Sequence, residues 1–183
     1  MIIEDTLLEA PQAFAPCEFR IKWADSAWEI AQARALRRAV FCVEQGVFVG
    51  DDTDAVDTHA QTLVAVSALA GMPDQVVGTV RIHEAEDGIW WGSRLAVHAA
   101  FRQHGRIGST LISLAVRSAH ARGALLFLAH VQAQNVPLFQ KLRWTLLKDE
   151  LLHGRPHALM QADLAAYPPC HDPITGFSTR SAT

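Results

Sequence analysis

The stretch FRQHGRIGSTLI, residues 101–112, decides how this chain is read. Two glycines, two arginines and a histidine stand between a run ending in RLAVHAA (94–100) and a long segment with apolar residues at helical spacing. A helix start leaves about four backbone N–H groups unpaired, and the macrodipole adds roughly half a positive charge there. Glycines let an anion approach those amides closely, and Arg102, His104 and Arg106 add side-chain donors. The stretch therefore reads as an anion cradle, with Gly108 and Ser109 opening the helix. Taken alone it is equally compatible with a plain glycine-rich turn. No GK[ST] follows, so it is not a Walker A loop, and it lacks the dinucleotide-binding GxGxxG.

Working outward, the helix is expected from 108 to 122 with Gly123 as its C-cap, followed by a strand in ALLFLAHV. Upstream, QTLVAVSALAG, QVVGTVRIHEA and IWWGSRLAV are three apolar runs joined by MPD and EDG turns, an antiparallel meander. Before them, CEFRIKWA alternates as a strand. DSAWEIAQARALRRAVFCVEQ reads as a helix capped by Asp25 or Ser26, its apolar face carried by Trp28, Ile30, Ala31, Ala35, Leu36, Val40 and Val43. Downstream, NVPLFQKLRW fits a short helix with Pro137 in its first turn, and TLLKDELL and HALMQADL form a hairpin across HGRP. The order is strand, helix, three strands, helix, strand, helix, two strands. That predicts an α+β domain and not an alternating doubly wound sheet. Residues 1–17 read as an arm, 18–166 as the domain and 167–183 as an irregular tail.

Half of the 183 residues are apolar, enough for one substantial core. The net charge of −3 gives no basic field for nucleic acid, and no apolar run is long enough to span a membrane. Three cysteines without CxxC spacing argue against a disulfide frame or a cysteine-built zinc site, and the acidic first residues lack the basic start of a signal peptide. A cytoplasmic protein is expected. HxxxH at His153 and His157 has no third ligand nearby, and Asp51, Asp52, Asp54 and Asp57 lack the glycine and final glutamate of a calcium loop, so no metal is expected.

At this point the chain resembles the GCN5-related N-acetyltransferases. Their loop Q/R-x-x-G-x-G/A follows a strand ending in L-x-V. Here Gln103 to Gly108 reads Q-H-G-R-I-G, with Arg106 where the first glycine is expected and Gly105 one residue earlier. QAQNVPLFQKLRW is similar to a second family pattern, matching it at Gln132, Asn135, Phe139, Arg143 and Trp144. LRRAVFCVEQGVF and HGRPHALM look like the ElaA-like bacterial branch, and the chain is also similar to a branch found near nitrilase-type gene clusters. The resemblance runs from about Glu18 to Leu164.

It implies a GNAT (acyl-CoA N-acyltransferase) fold, a bent, mostly antiparallel sheet with flanking helices that splays open between the LAV strand and LLFLAHV. Acetyl-CoA would be the co-substrate. Its pantetheine would pair with backbone near Leu95, Ala96 and Val97, and its diphosphate would sit over Gln103, His104, Gly105, Arg106, Ile107, Gly108 and Ser109, with Asn135 and Phe139 completing the cofactor site. The acceptor would be the amine of a small molecule, which would attack the thioester directly. The family's usual acid is a tyrosine at the position of Phe139, and the sole tyrosine, Tyr167, lies elsewhere. For the base, Glu44 comes first, against a solvated helix-end carboxylate. His157 comes next, against a turn histidine bonded to a carbonyl, and His83 and Glu84 are weaker candidates. The acidic loop at 51–57 is either a lip for a cationic amine or a solvated loop. One of Trp90 and Trp91 belongs to the core, and the other to the acceptor pocket or a homodimer face. An acyl-homoserine-lactone synthase and a non-catalytic acyl-CoA-binding module are the alternatives.

Overall fold

Strand β1 (Glu18–Trp23) shows how the alternation is spent: Phe19 and Ile21 are fully buried, while Arg20 and Lys22 take the other face. A computed structural model describes residues 18–103 and 106–180; the expected arm at 1–17 lies outside the described residues. Helix α1 (Ala27–Arg37) begins at Ser26, whose hydroxyl accepts from Glu29 N, and continues as a π-helical turn, Arg38–Glu44. The expected meander is present as β2 (Gln61–Leu69), β3 (Met72–Glu86) and β4 (Ile89–Val97). Then follow α2 (Ile107–His120), β5 (Leu126–Gln132), α3 (Val136–Lys141) and the hairpin β6 (Trp144–Leu152) with β7 (Arg155–Ala162).

The sheet order is β6-β7-β5-β4-β3-β2-β1-β8, with β4 and β5 the parallel pair that α2 connects. One face packs on α2 through a core that includes Leu63, Val77, Ile82, Trp90, Leu111 and Phe127. The other packs on α1 through Ala33, Leu36, Val40, Phe41, Val64 and Val66. Gly78 permits the α2 contact: a Cβ there would lie 2.8 Å from Ile107 Cγ2 and 2.9 Å from Leu111 Cδ1.

Two expectations are corrected. The buried face of α1 carries Glu29, Ala33, Leu36 and Arg37, while Trp28, Ile30, Ala31 and Ala35 point outward and Val43 is 79% exposed. Apolar periodicity misplaces the face because two of its buried positions are charged. Glu29 is held by Lys22 at 2.8 Å, and Arg37 by Asp52 at 2.8 Å. The tail is not wholly irregular: Phe177–Arg180 forms a short strand, β8, on β1. The strap before it is pinned by Cys170 N to Arg117 O and by Trp23 N to Pro173 O. Gly176 lets the strap turn onto β1, since its φ is +61° and a Cβ would sit 2.0 Å from Ile21 O.

Candidate functional site

Strands β4 and β5 pair only from Ile89 to Gly92 and from Leu126 to Ala129; beyond that they separate. A bulge in β4 marks the parting. Between Arg81 opposite Ser93 and Thr79 opposite Ala96, β4 spends one residue more than β3, and Arg94 adopts φ +55°. A left-handed conformation in a non-glycine residue has to be held from outside. Here Arg94 Nε donates to Asp52 at 2.9 Å, Nη2 contacts Asp54 at 3.1 Å, and the guanidinium lies 4.4 Å over the Phe48 ring.

Those contacts revise the reading of the acidic loop: Asp51 and Asp54 remain exposed, but Asp52 is buried, and Asp52, Asp54 and Asp57 are each paired with arginine. Arg37 pairs with Asp52 and Asp57, Arg81 with Asp54 and Asp57, and Arg94 with Asp52 and Asp54. Three carboxylates meet three guanidinium groups. Burial opposes the charge on Asp57, but the hydrogen bonds from Arg37 and from the Asp54 amide outweigh it and hold the carboxyl far below the usual range. The Arg81 hydrogen bond likewise lowers Asp54.

The parted strands open a cleft of about 460 Å³ that reaches both faces of the sheet. Ile112, Ala115, Phe127, Phe139 and Trp144 line it on the α2 side. Phe41, Phe48, Trp91, His130 and His157 line it on the α1 side. Trp90 is buried in the core, so Trp91 is the one of the pair that faces the cleft.

Of the expected backbone partners, Leu95 lines the cleft, whereas Ala96 spends its main-chain groups on Thr79 of β3. Amides alternate between the two edges of a strand, and His98 N donates to Val77 O on the β3 side, so the main chain of Val97 faces the splay. Val97 O accepts from Arg102 Nε at 3.0 Å. The cradle is open: α2 starts at Arg106, φ +51°, with no side-chain cap, and its first main-chain bond is Thr110 N to Arg106 O. Among the described residues, the amides of Ile107, Gly108 and Ser109 therefore have no helical partner and are suited to an anion. Gln103 and Arg106 are exposed, Ile107 is buried as the helix's anchor, and His104 and Gly105 lie outside the described residues.

Asn135 lines the cleft just beyond β5, and Phe139 forms its floor edge-on to Trp144 at 5.0 Å. Tyr167 is buried behind them; its hydroxyl donates to Leu142 O and accepts from Trp144 Nε1 at 3.2 Å, so it has no free proton for the cleft. Glu44 is not among the residues lining the cleft. Arg102 grips it at 2.6 Å, and that hydrogen bond holds its carboxyl below the ordinary range, which weakens it as a base. His157 does line the cleft, and its Nδ1 meets Arg155 O at 2.9 Å, the carbonyl contact of the turn-histidine reading. Glu44 and His157 are not brought together. Sequence reasoning passed over Arg81, Arg94, His130 and Glu150. The available signal was a charged residue inside an otherwise apolar strand.

A sheet split after a β-bulge, beside an uncapped helix start, is the fold of the acyl-CoA N-acyltransferases. The sequence profile of the Acetyltransferase (GNAT) family matches residues 23–143. A candidate acetyltransferase from Bacillus subtilis (strain 168) is 28% identical over 146 residues, 76% of this chain and 93% of that protein. The crystal structure of a candidate N-acetyltransferase from Lactobacillus plantarum superposes with a TM-score of 0.71 at 25% identity, covering 80% of this chain and 98% of the other. Escherichia coli ElaA superposes with a TM-score of 0.65 at 21% identity, over 80% of this chain and 99% of its own. The chain belongs to the acetyltransferase (GNAT) family.

Proposed function

We propose that this protein transfers an acetyl group from acetyl-CoA to the amine of a small molecule by direct attack. The observation that carries this reading is the meeting at one cleft of two backbone surfaces outside the sheet and helix ladders: the outward main chain of Val97, whose carbonyl Arg102 holds, and, among the described residues, the amides of 107–109. Pantetheine lies along the first as a pseudo-strand once Arg102 releases the Val97 carbonyl, and the diphosphate takes the second. Asn135 and Phe139 border the thioester. With Phe139 in the usual tyrosine position and Tyr167 fully bonded, the thiolate leaves without a tyrosine acid and takes its proton from water or from the conjugate acid of the base. His157 belongs to the wall of the acceptor side. The transferase unit spans 18–166, and the remaining residues to 180 are a strap over α2 and β1. Among the described residues no helix is long and apolar enough to cross a membrane, and the protein works in the cytoplasm.

Calorimetric titration with acetyl-CoA, CoA and S-adenosylmethionine tests this. Binding of acetyl-CoA and CoA is expected. Binding of S-adenosylmethionine alone would replace the reading with a lactone-synthase-like one, and binding of none would end it.

A further inference from the structure

Beside the splay, on the α1 face of the sheet, runs a row of side chains that the reading above leaves unused. His83 on β3 stands opposite Trp91 on β4. Trp91 stacks on His130 of β5, with ring centroids 4.9 Å apart and planes 26° from parallel. His130 Nδ1 bonds to Oε1 of Glu150, which reaches it from β6 across β7. The three rings line the cleft, and Glu150 stands behind them.

We propose that this row is the acceptor site, that His130 takes the proton of the attacking amine, and that the acceptor is a monoamine bearing an aromatic ring. This rests on the acyltransferase reading and adds the base and the substrate class to it.

An ionised carboxylate can only accept, so Glu150 fixes the ring proton on Nδ1 and leaves the lone pair on Nε2 of His130. Burial works to raise the pKa of Glu150, but the hydrogen bond from His130 and the pull of Lys148 outweigh it and keep the carboxyl below its ordinary range. A base oriented by a carboxylate is the arrangement that supports proton abstraction. His157 has only the carbonyl of Arg155 for this purpose. His83 carries a buried Nδ1 with no hydrogen-bond partner among the described residues, a polar atom that a ligand could satisfy. Burial, then repulsion from Arg81 and His59, keeps its pKa below the usual value against the pull of Asp54, so it adds no charge.

The substrate class follows from the lining. None of the described residues around the cleft is an aspartate or glutamate, and the carboxylates of the 51–57 loop nearest to it are spent on Arg81 and Arg94. A polyamine would bring further positive charge with nothing to receive it. An aromatic ring finds Trp91, Phe48 and the imidazoles. In the reaction the neutral amine nitrogen attacks the thioester carbon, forming C–N as the carbonyl electrons move to oxygen. Their return breaks C–S, the amine proton passes to His130 Nε2, and the thiolate is finally protonated. The products are the amide and CoA.

The test follows thiol release from acetyl-CoA with phenethylamine, tryptamine and spermidine, using wild type, His130→Ala, Glu150→Gln and Glu150→Asp, with acetyl-CoA affinity measured for each. The wild type should favour both aryl amines over spermidine. His130→Ala should lower kcat by about 100-fold or more with acetyl-CoA affinity unchanged, and added imidazole should restore part of the rate. Glu150 is a positioning residue, so Glu150→Gln should lower kcat with little change in KM, and Glu150→Asp should recover part of it. An undiminished kcat in His130→Ala would overturn the base. A preference for spermidine, or no transfer to either aryl amine, would overturn the substrate class. Failure of the wild type to bind acetyl-CoA would instead sink the acyltransferase reading itself, which keeps the two failures apart.

Discussion

Replacing Asp52 by asparagine keeps the side-chain shape and removes one charge from the centre of the arginine cluster. Asp52 is 2% exposed and accepts from Arg37 at 2.8 Å and from Arg94 at 2.9 Å. Breaking a buried pair by removing one partner costs about 3–5 kcal/mol, since the other charge stays buried. The lower end applies here because Arg37 keeps Asp57 at 2.6 Å and Arg94 keeps Asp54 at 3.1 Å. A loss of about 3 kcal/mol in a chain of this size lowers Tm by roughly 6–12 °C. Thermal and urea unfolding measure the change directly. Because Arg94 is the bulge residue, acetyl-CoA affinity should fall in the same variant at temperatures where it remains folded. A Tm within about 2 °C of wild type, with affinity intact, would mean that the cluster neither stabilises the fold nor holds the splay open.

Three further outcomes are expected. Asp57 and Asp54 have folded pKa values below their unfolded ones, so their stabilisation is complete above the unfolded value of about 3.9 and is lost as pH falls through the folded values. Stability should therefore drop below about pH 4, and Asp57→Asn should flatten that acid limb in pH-dependent urea unfolding. Gly108→Trp should abolish acetyl-CoA binding without unfolding the chain, because among the described residues a Cβ there meets only Val97 Cγ2 at 3.8 Å and the ring would fill the space over the proposed cradle; calorimetry beside a circular dichroism melt checks both halves. Phe139→Tyr should leave the transfer rate similar or raise it by restoring a hydroxyl at the cleft floor. Complete loss of activity in a folded variant would show instead that Phe139 shapes the acyl pocket.

Much of the fold was legible in the sequence because it rests on local signals. Alternation gives β1 and continuous apolar runs give the meander, while α2 ends at His120 with Ala121 as its C-cap, two residues before the left-handed Gly123, φ +87°, that was expected to cap it. The helix start that the proposed cradle uses was legible for the same reason: helix-start amides lie within a few residues of one another, and α2 begins where Gly108 and Ser109 placed it, to within a residue. What apolar periodicity does not carry is buried charge. It assigned the wrong face to α1 because Glu29 and Arg37 point inward, and it treated the aspartate loop as solvated or substrate-facing because Arg37, Arg81 and Arg94 are remote in sequence. Likewise, nothing local joins His130 to Glu150, 20 residues on, or both to Trp91.

By itself, then, the sequence determined the order of elements from β1 to β7, the parallel crossover and the glycine-containing start of α2, each a matter of neighbouring residues and of period. Only the tertiary structure decided which carboxylates are free to act. It tied Glu44 to Arg102, closed the aspartates onto three arginines and left Glu150 to orient His130. The physical reason is that a charged side chain taken from water must find a partner, and the fold, not the local sequence, determines which one it meets.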